Sequence, residues 1–132
     1  MQKGGFQMAL QMCHVMPFLA TTQPEKARAF YCDVLGMRLE EDSPFALVVK
    51  AANASVRIQK VQAFTPSPFT ALGWHVDDIE TAARQLQSKG VTFEHFEGMN
   101  QNDLGIWASP GGAQVCWFKD PDGNLLSLTQ FA

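Results

Sequence analysis

Apolar and polar positions along the first half of the chain predict a strand, a helix and three further strands. A short apolar segment over 14–21 predicts the first strand, and apolar residues over 23–35 recur at the spacing of one helical face. Short segments with strand-like composition follow over 37–41, 45–50 and 56–61. The first half is therefore predicted to have the order β-α-β-β-β.

The second half repeats this order after a segment over 62–70 whose prolines, serines and threonines predict a linker. A strand is predicted over 71–76 and a helix over 77–90. Strand predictions then follow over 91–96, 114–118 and 125–130, and the segment over 105–108 is either a further strand or a loop. The chain is therefore predicted to be an internal duplication with α+β architecture, built from two tandem β-α-β-β-β modules over about 13–62 and 71–131.

Both predicted helices carry sequence signals at their ends. Thr22 and Asp77 each precede a glutamate by three residues, which is the pattern of an N-terminal capping box. Gly36 and Gly90 follow the last apolar residue of each helix, where a C-terminal glycine is expected.

The segment 120–124, Asp-Pro-Asp-Gly-Asn, predicts a tight turn between the last two strands. After the turn, side chains alternate between the two faces of a strand. Leu126 and Leu128 share a face apolar enough to pack against a helix, whereas Ser127 and Thr129 lie on the other face. We expect that second face to border a cavity.

Composition narrows the choice of partners. The 132 residues are enough for one domain with a core, and the net charge of −3 without a basic stripe excludes nucleic acid as an expected partner. No apolar run is long enough to predict a membrane span. Residues 1–12 are predicted to be a flexible lead-in and not a signal peptide. Three cysteines without a paired motif (Cys13, Cys32 and Cys116) predict buried, reduced thiols in a cytoplasmic protein.

Three motifs together resemble a known family. ARAFYCDVLGM in the first half, WHVDDIETAARQLQSKGV in the second and FKDPDGNLLSL near the end look like the glyoxalase/bleomycin-resistance/extradiol-dioxygenase group, the vicinal oxygen chelate superfamily. The resemblance runs from about Cys13 to Phe131. It implies curled mixed sheets around a cavity with the helices outside, and it implies a homodimer.

The resemblance also implies where a metal ion would be held in metal-dependent members. By position, the ligands of those members fall on Met16, Ala71 and Ser127, and a fourth place falls near Arg57. None of the first three is a usual ligand of a divalent ion, and a fixed positive charge at the fourth would repel one. We therefore expect no metal cofactor, with a divalent metal as the alternative.

Strand alternation places several other polar groups on the expected cavity side, in an otherwise apolar pocket. Arg57 could bind a carboxylate or phosphate through its planar fork, although an ion pair at the surface or at a dimer contact is the simpler role. His75 is the natural general base if the protein is an enzyme, although a structural histidine is as plausible. Trp107 and Trp117 could stack on a ligand or could belong to the core. The candidate ligand-binding residues are Arg57, Gln59, His14, Trp74, Ser127 and Thr129.

The sequence thus favours a metal-independent protein that binds a small organic, and in one version anionic, molecule. The alternative is a metal-dependent glyoxalase-like lyase, isomerase or dioxygenase with a rearranged metal site. A structural or regulatory domain without a ligand is a third reading. The residues available for the rearranged site are His14, His75 and Cys13 or Cys116.

Overall fold

The computed structural model describes residues 9–132 and contains two four-stranded mixed sheets. The elements are a 3₁₀ turn (Leu10–Met12), β1 (Phe18–Thr21), α1 (Pro24–Arg28), a π-helix (Ala29–Val34), β2 (Arg38–Asp42), β3 (Ala46–Lys50), β4 (Ser55–Lys60), β5 (Leu72–His75), α2 (Ile79–Ser88), β6 (Trp107–Ala108), β7 (Gln114–Lys119) and β8 (Leu125–Gln130).

The first sheet has the strand order β1-β4-β3-β2 and the second has the order β5-β8-β7-β6. Strand β1 is parallel to β4 and β5 is parallel to β8, and the other pairs are antiparallel. This confirms the predicted α+β fold of curled mixed sheets, which are open.

Two of the predicted strands are wrong in extent. The first strand begins at Phe18 and not at residue 14, because Pro17 has no N–H to donate and only its carbonyl oxygen pairs with β4, accepting from Arg57 N at 2.9 Å. The predicted strand over 91–96 is reduced to one isolated bridge between Phe93 and Phe118. There the side-chain amide of Gln101 replaces a neighbouring strand, since it donates to Glu94 O and accepts from Phe96 N.

The predicted helix starts also need correction. Thr22 does not cap α1, whose N-cap residue Gln23 makes no capping bond with its side chain. Thr22 instead donates its hydroxyl to Asp122 Oδ1 at 2.6 Å, a partner in the other half of the chain. In α2 the N-cap is Asp78 and not Asp77, and its carboxylate accepts from Thr81 N at 3.1 Å.

The two halves share one core on the helix side of the sheets. Phe118 of β7 is fully buried and contacts the Phe30 ring of the π-helix, with 6.3 Å between ring centroids. Leu126 and Leu128 of β8 face this core as the alternation predicts. The helix of the first module therefore packs against the sheet of the second.

The turn over 120–124 fastens the two modules together by hydrogen bonds. Asp120 is 5% exposed and accepts from Tyr31 Oη at 2.7 Å and from Asn124 Nδ2 at 2.8 Å. Asn124 Nδ2 also donates to Ala20 O of β1 at 3.0 Å, and Asp122 accepts hydrogen bonds from the end of the same strand. The predicted tight turn is confirmed, and it also contacts both the first strand and the first helical segment.

A dependence of stability on pH follows from Asp122. Burial acts to raise the pKa of Asp122, but hydrogen bonds from the Thr21 and Thr22 side chains and from Thr22 N outweigh burial and hold that pKa below its ordinary value. This carboxylate therefore contributes stability above its unfolded pKa of about 3.9 and loses that contribution as pH falls through the folded pKa. We expect wild type to lose more unfolding free energy than Asp122→Asn between about pH 5 and about pH 3. Urea unfolding at both pH values measures the difference, and equal losses would contradict this assignment.

The cysteines differ in their surroundings, and none forms a disulfide. Cys116 is buried, and burial raises the pKa of its thiol to about 12. Cys32 is partly buried and Cys13 is exposed, so the prediction that all three are buried is wrong.

The structure describes only residues 9–12 of the segment over 1–12 that was predicted to be a flexible lead-in, and residues 1–8 lie outside the described part. Within 9–132, none of the helices has the length and apolar character needed to cross a membrane.

Candidate functional site

The face of the second sheet that points away from the helices is defined by strand register. Gly73 of β5 lies opposite Ser127 of β8, which lies opposite Trp117 of β7. Residues directly opposite each other in a sheet share a face. A second row contains His75, Thr129, Val115 and Trp107. We call this surface, the two rows together, the open face of the second sheet.

Aromatic rings form one side of the open face. Trp117 lies 5.5 Å from Phe96 in an edge-to-face arrangement and 6.3 Å from Trp107, measured between ring centroids. Trp117 Nε1 donates to Thr70 Oγ1 at 3.0 Å, which fixes the orientation of the indole. Trp107 and Trp117 are only partly buried. Their rings can therefore stack on a planar ligand without rearranging the core.

Gly73 leaves the middle of the open face flat. A Cβ atom at this position would lie 2.5 Å from Ser127 Oγ, so any side chain would displace the serine hydroxyl. A glycine inside a strand often marks a place where a ligand or another backbone comes close. Ser127 itself is only 7% exposed, and its hydroxyl occupies the space that a side chain at position 73 would need.

The corresponding face of the first sheet carries a cation. Arg57 of β4 lies opposite Phe18 of β1 and Val48 of β3, and Gln59 follows in the next row. Among the residues that the structure describes, no carboxylate lies within ion-pair distance of the Arg57 guanidinium. The partly buried guanidinium is therefore available to an anionic group from outside the chain.

Two of the predicted site residues lie apart from these faces. Trp74 points to the helix side of β5, where its ring stacks on Phe118 with 6.3 Å between centroids and 20° between planes. His14 lies outside β1, exposed, beside a groove that the β3–β4 connection borders. Neither side chain shares the open face with Ser127, and Trp74 cannot stack on a ligand bound there.

His75 remains at the edge of the open face and is exposed. Its nearest ring neighbour is Phe131, with 5.1 Å between centroids. A general base is usually oriented by a hydrogen-bonding partner, and an apolar ring cannot serve as one. A catalytic role for His75 stays a prediction.

The donor groups of one chain do not fit the divalent ion that metal-dependent members of the resembled family would hold. Met16 offers a thioether, Ala71 has no donor in its side chain and Ser127 offers a neutral hydroxyl. Within residues 9–132, no three histidine, cysteine, aspartate or glutamate side chains are grouped closely enough to hold an ion together. The alternative set is likewise not assembled there: His14, His75 and Cys13 or Cys116.

Sequence reasoning left open whether Trp117 stacks on a ligand or belongs to the core, and it did not consider Phe96 as a site residue. Trp117 could have been found, because the turn places Lys119 opposite Leu125 and therefore Trp117 opposite Ser127. Phe96 could not have been found in this way, since it lies in a segment outside the sheet ladder.

Comparison with known proteins identifies the family and the fold of the chain. Residues 11–128 match the family described as Glyoxalase/Bleomycin resistance protein/Dioxygenase superfamily, whereas no curated protein matches the chain. Among solved structures, the chain is similar to TnmS3, an antibiotic binding protein from Streptomyces sp. CB03234, with 27% identity and a TM-score of 0.69; the match covers 96% of this chain and 100% of that chain.

Two further structures are similar in fold. The bleomycin resistance determinant encoded on the transposon Tn5 has 21% identity and a TM-score of 0.71, with 89% of this chain and 97% of that chain covered. A lactoylglutathione lyase from Agrobacterium tumefaciens has 15% identity and a TM-score of 0.70, with 90% and 93% covered. At these identities the likeness shows the fold alone.

Proposed function

The chain belongs to the glyoxalase/bleomycin resistance protein/dioxygenase superfamily, and on that premise we propose that it binds a small organic molecule without a metal ion. The ligand would carry a planar ring and an anionic group. The rings of Trp107 and Trp117 would contact the planar part, and the Arg57 guanidinium would contact the anion. Neutral hydrogen-bonding groups would come from Gln59, which shares a strand of the first sheet with Arg57, and from Ser127 and Thr129 on the open face of the second sheet.

The observation that carries this proposal is the chemistry of the open face. It combines the partly exposed rings of Trp107 and Trp117 with a flat position at Gly73, and within the described residues no set of metal-ligating side chains is grouped there. Binding by stacking and one polar anchor needs no Lewis acid. TnmS3, a similar structure at 27% identity, is described as an antibiotic binding protein, which supports binding of a small organic molecule here. The metal-dependent lyase, isomerase or dioxygenase alternative has no comparable support from the side chains.

We further propose that the protein is a homodimer. A second copy would cover the open face of the second sheet and the face of the first sheet that carries Arg57. In one chain, large apolar side chains next to both faces stay in contact with water, at 54% exposure for Phe18, 52% for Met16 and 64% for Phe131. Such surface is typical of a protein contact. Light scattering at rising protein concentration tests this, and a mass of one chain throughout would contradict it.

Three further points stay predictions from composition. The protein is expected in the cytoplasm, without a nucleic acid partner and without a membrane partner. The net charge of −3 and the three cysteines without disulfides are their support.

A thermal-shift screen with aromatic antibiotics and aromatic acids tests ligand binding directly. A ligand that binds the folded state raises the unfolding temperature with its concentration. We expect hits whose shift persists when EDTA is present. Hits that disappear with EDTA and return with a divalent metal would contradict the metal-independent proposal.

Arg57→Ala is the sharpest point test of the anionic group. We expect it to weaken an anionic hit by about 1.5–3 kcal/mol, the usual loss for a hydrogen bond to a charged group. This corresponds to about 10–150-fold in Kd, measured by titration calorimetry.

Arg84→Ala is the matched control for Arg57→Ala. It removes the same charge from the exposed surface of α2, where Arg84 pairs with Glu80 at 3.1 Å. Affinity should be unchanged in this variant. If Arg57→Ala leaves affinity unchanged and lowers stability instead, Arg57 is a structural residue and not a ligand anchor.

A further inference from the structure

A cavity of about 240 Å³ lies on the helix side of the second sheet, opposite to the open face. Alternation along β5 and β8 separates the two places: Gly73 and Ser127 point to the open face, whereas Trp74 and Leu128 point toward the helices. The walls include residues from the end of the first helical segment, from α2 and from three strand positions: Leu35, Trp74, Ala82, Leu86, Phe118 and Leu128.

The cavity exists because α2 presents small side chains to the sheet. Ala82 and Ala83 stand where the helix faces β5 and β8, and Ala83 is fully buried. In the first module the helical segment instead presents Phe30 and Tyr31 to the core. A methyl group cannot reach as far as a ring, so space remains beside Ala82.

An aromatic floor gives the cavity a defined shape. The Trp74 ring stacks on Phe118, and Phe118 is held from its other sides by Phe93 at 5.8 Å and Phe30 at 6.3 Å between ring centroids. Phe118 is fully buried and Trp74 is partly exposed. One surface of the Trp74 indole is therefore available to an added ring, while the rings beneath it are fixed.

The polar groups at the cavity are few and neutral. The polar residues of the lining are Gln85, which is exposed, and His75, which lies at the end of β5 and which strand register also places at the edge of the open face. None of the lining side chains is an aspartate, glutamate, lysine or arginine. Within the described part of the chain, the Trp74 indole N–H donates to no acceptor. A charged guest would be desolvated there without a counter-ion, so the chemistry favours a neutral one.

From these observations we propose that this cavity is a second binding site, for a neutral aromatic molecule of one or two fused rings with a hydrogen-bonding group at the margin. The volume sets the size, because it is smaller than the about 300–1,000 Å³ of sites that hold drug-sized ligands. The ligand would stack on Trp74 and contact Leu86 and Leu128. This site is independent of the proposed open-face function.

Indole is a suitable probe, titrated into the uniformly ¹⁵N-labelled full chain. The Trp74 side-chain resonance is identified from its loss in Trp74→Phe. We expect indole to shift this resonance and the backbone resonances around Ala82 and Gln85, and to leave the Trp117 side-chain resonance in place. A shift of the Trp117 resonance alone would overturn the proposal, since it would place indole on the open face.

Ala82→Phe provides the blocking variant and Gln87→Phe its matched control. The first places a ring in the cavity and should raise the Kd for indole by about tenfold or more, whereas the second adds the same ring on the exposed side of α2. Ala82→Leu replaces Ala82→Phe if the larger ring prevents folding. The proposal would be overturned if wild type and the blocking variant bound indole equally well, or if indole did not shift the Trp74 resonance. The cavity would then be only a packing defect.

Discussion

Asp120→Ala is expected to lower the free energy of unfolding by about 3–6 kcal/mol, since at least two hydrogen bonds to a buried carboxylate are lost at about 1.5–3 kcal/mol each. Asp120 accepts from Tyr31 Oη and from Asn124 Nδ2, and also from the backbone N–H groups of Asp122 and Asn124 at 2.9 Å. The substitution removes the acceptor and leaves Tyr31 Oη and the Asn124 backbone N–H in a buried place without it, whereas Asn124 Nδ2 keeps its bond to Ala20 O. Urea unfolding measures the loss.

Tyr31→Phe and Asp33→Ala are the companion variants for Asp120→Ala. Burial and the neighbouring Asp120 charge raise the pKa of Tyr31, so its hydroxyl stays protonated and continues to donate. Tyr31→Phe removes one of the donors and should lose about 1.5–3 kcal/mol. Asp33→Ala removes an exposed carboxylate from the same π-helix and should change stability by about 0.5 kcal/mol or less. If Asp120→Ala lowers the free energy of unfolding no more than Asp33→Ala does, the turn does not hold the two modules together.

The elements that sequence reasoning placed correctly are those whose signals are local. The turn over 120–124 and the strand that follows it were placed from proline, glycine and the alternation after them, and the bounds of β8 agree with the prediction. The order of helix and strands in each half was likewise set by periodicities of 3.6 and 2 residues. Both kinds of signal lie within a few residues of the structure that they determine.

The errors occurred where a distant partner competes with a local one. Thr22 has the sequence context of a helix cap, but in the folded chain its hydroxyl donates a hydrogen bond to Asp122 instead. The segment over 91–96 has an apolar alternation typical of a strand, but the Gln101 side chain satisfies its backbone groups. Such competition depends on tertiary contacts that no short window of sequence contains.

The turn also links fold to site. Asn124 Nδ2 donates to Ala20 O, and Ala20 lies opposite Gln59 in the first sheet. The hydrogen bonds of the second module therefore position the edge strand beside the candidate ligand-binding residues of the first. Under the proposed function, loss of this turn should also weaken binding at Arg57 and Gln59, although no residue of the turn is a candidate ligand-binding residue.

Phe118→Ala is expected to cost about 3–5 kcal/mol of unfolding free energy, the range for removing a fully buried phenylalanine ring. The ring contacts Phe30 from the first module and Trp74 and Phe93 from the second, so the substitution leaves a void where the two modules meet. Circular dichroism during urea unfolding measures the loss.

Phe118→Leu and Phe69→Ala separate this effect from a general loss of aromatic surface. Phe118→Leu keeps an apolar side chain in the site and should lose about 1–2 kcal/mol. Phe69 is 66% exposed, so Phe69→Ala should change stability by about 0.5 kcal/mol or less. A loss below about 1 kcal/mol for Phe118→Ala would mean that the core relaxes into the void. In that case Phe118 could not be the residue that holds the helix of one module against the sheet of the other.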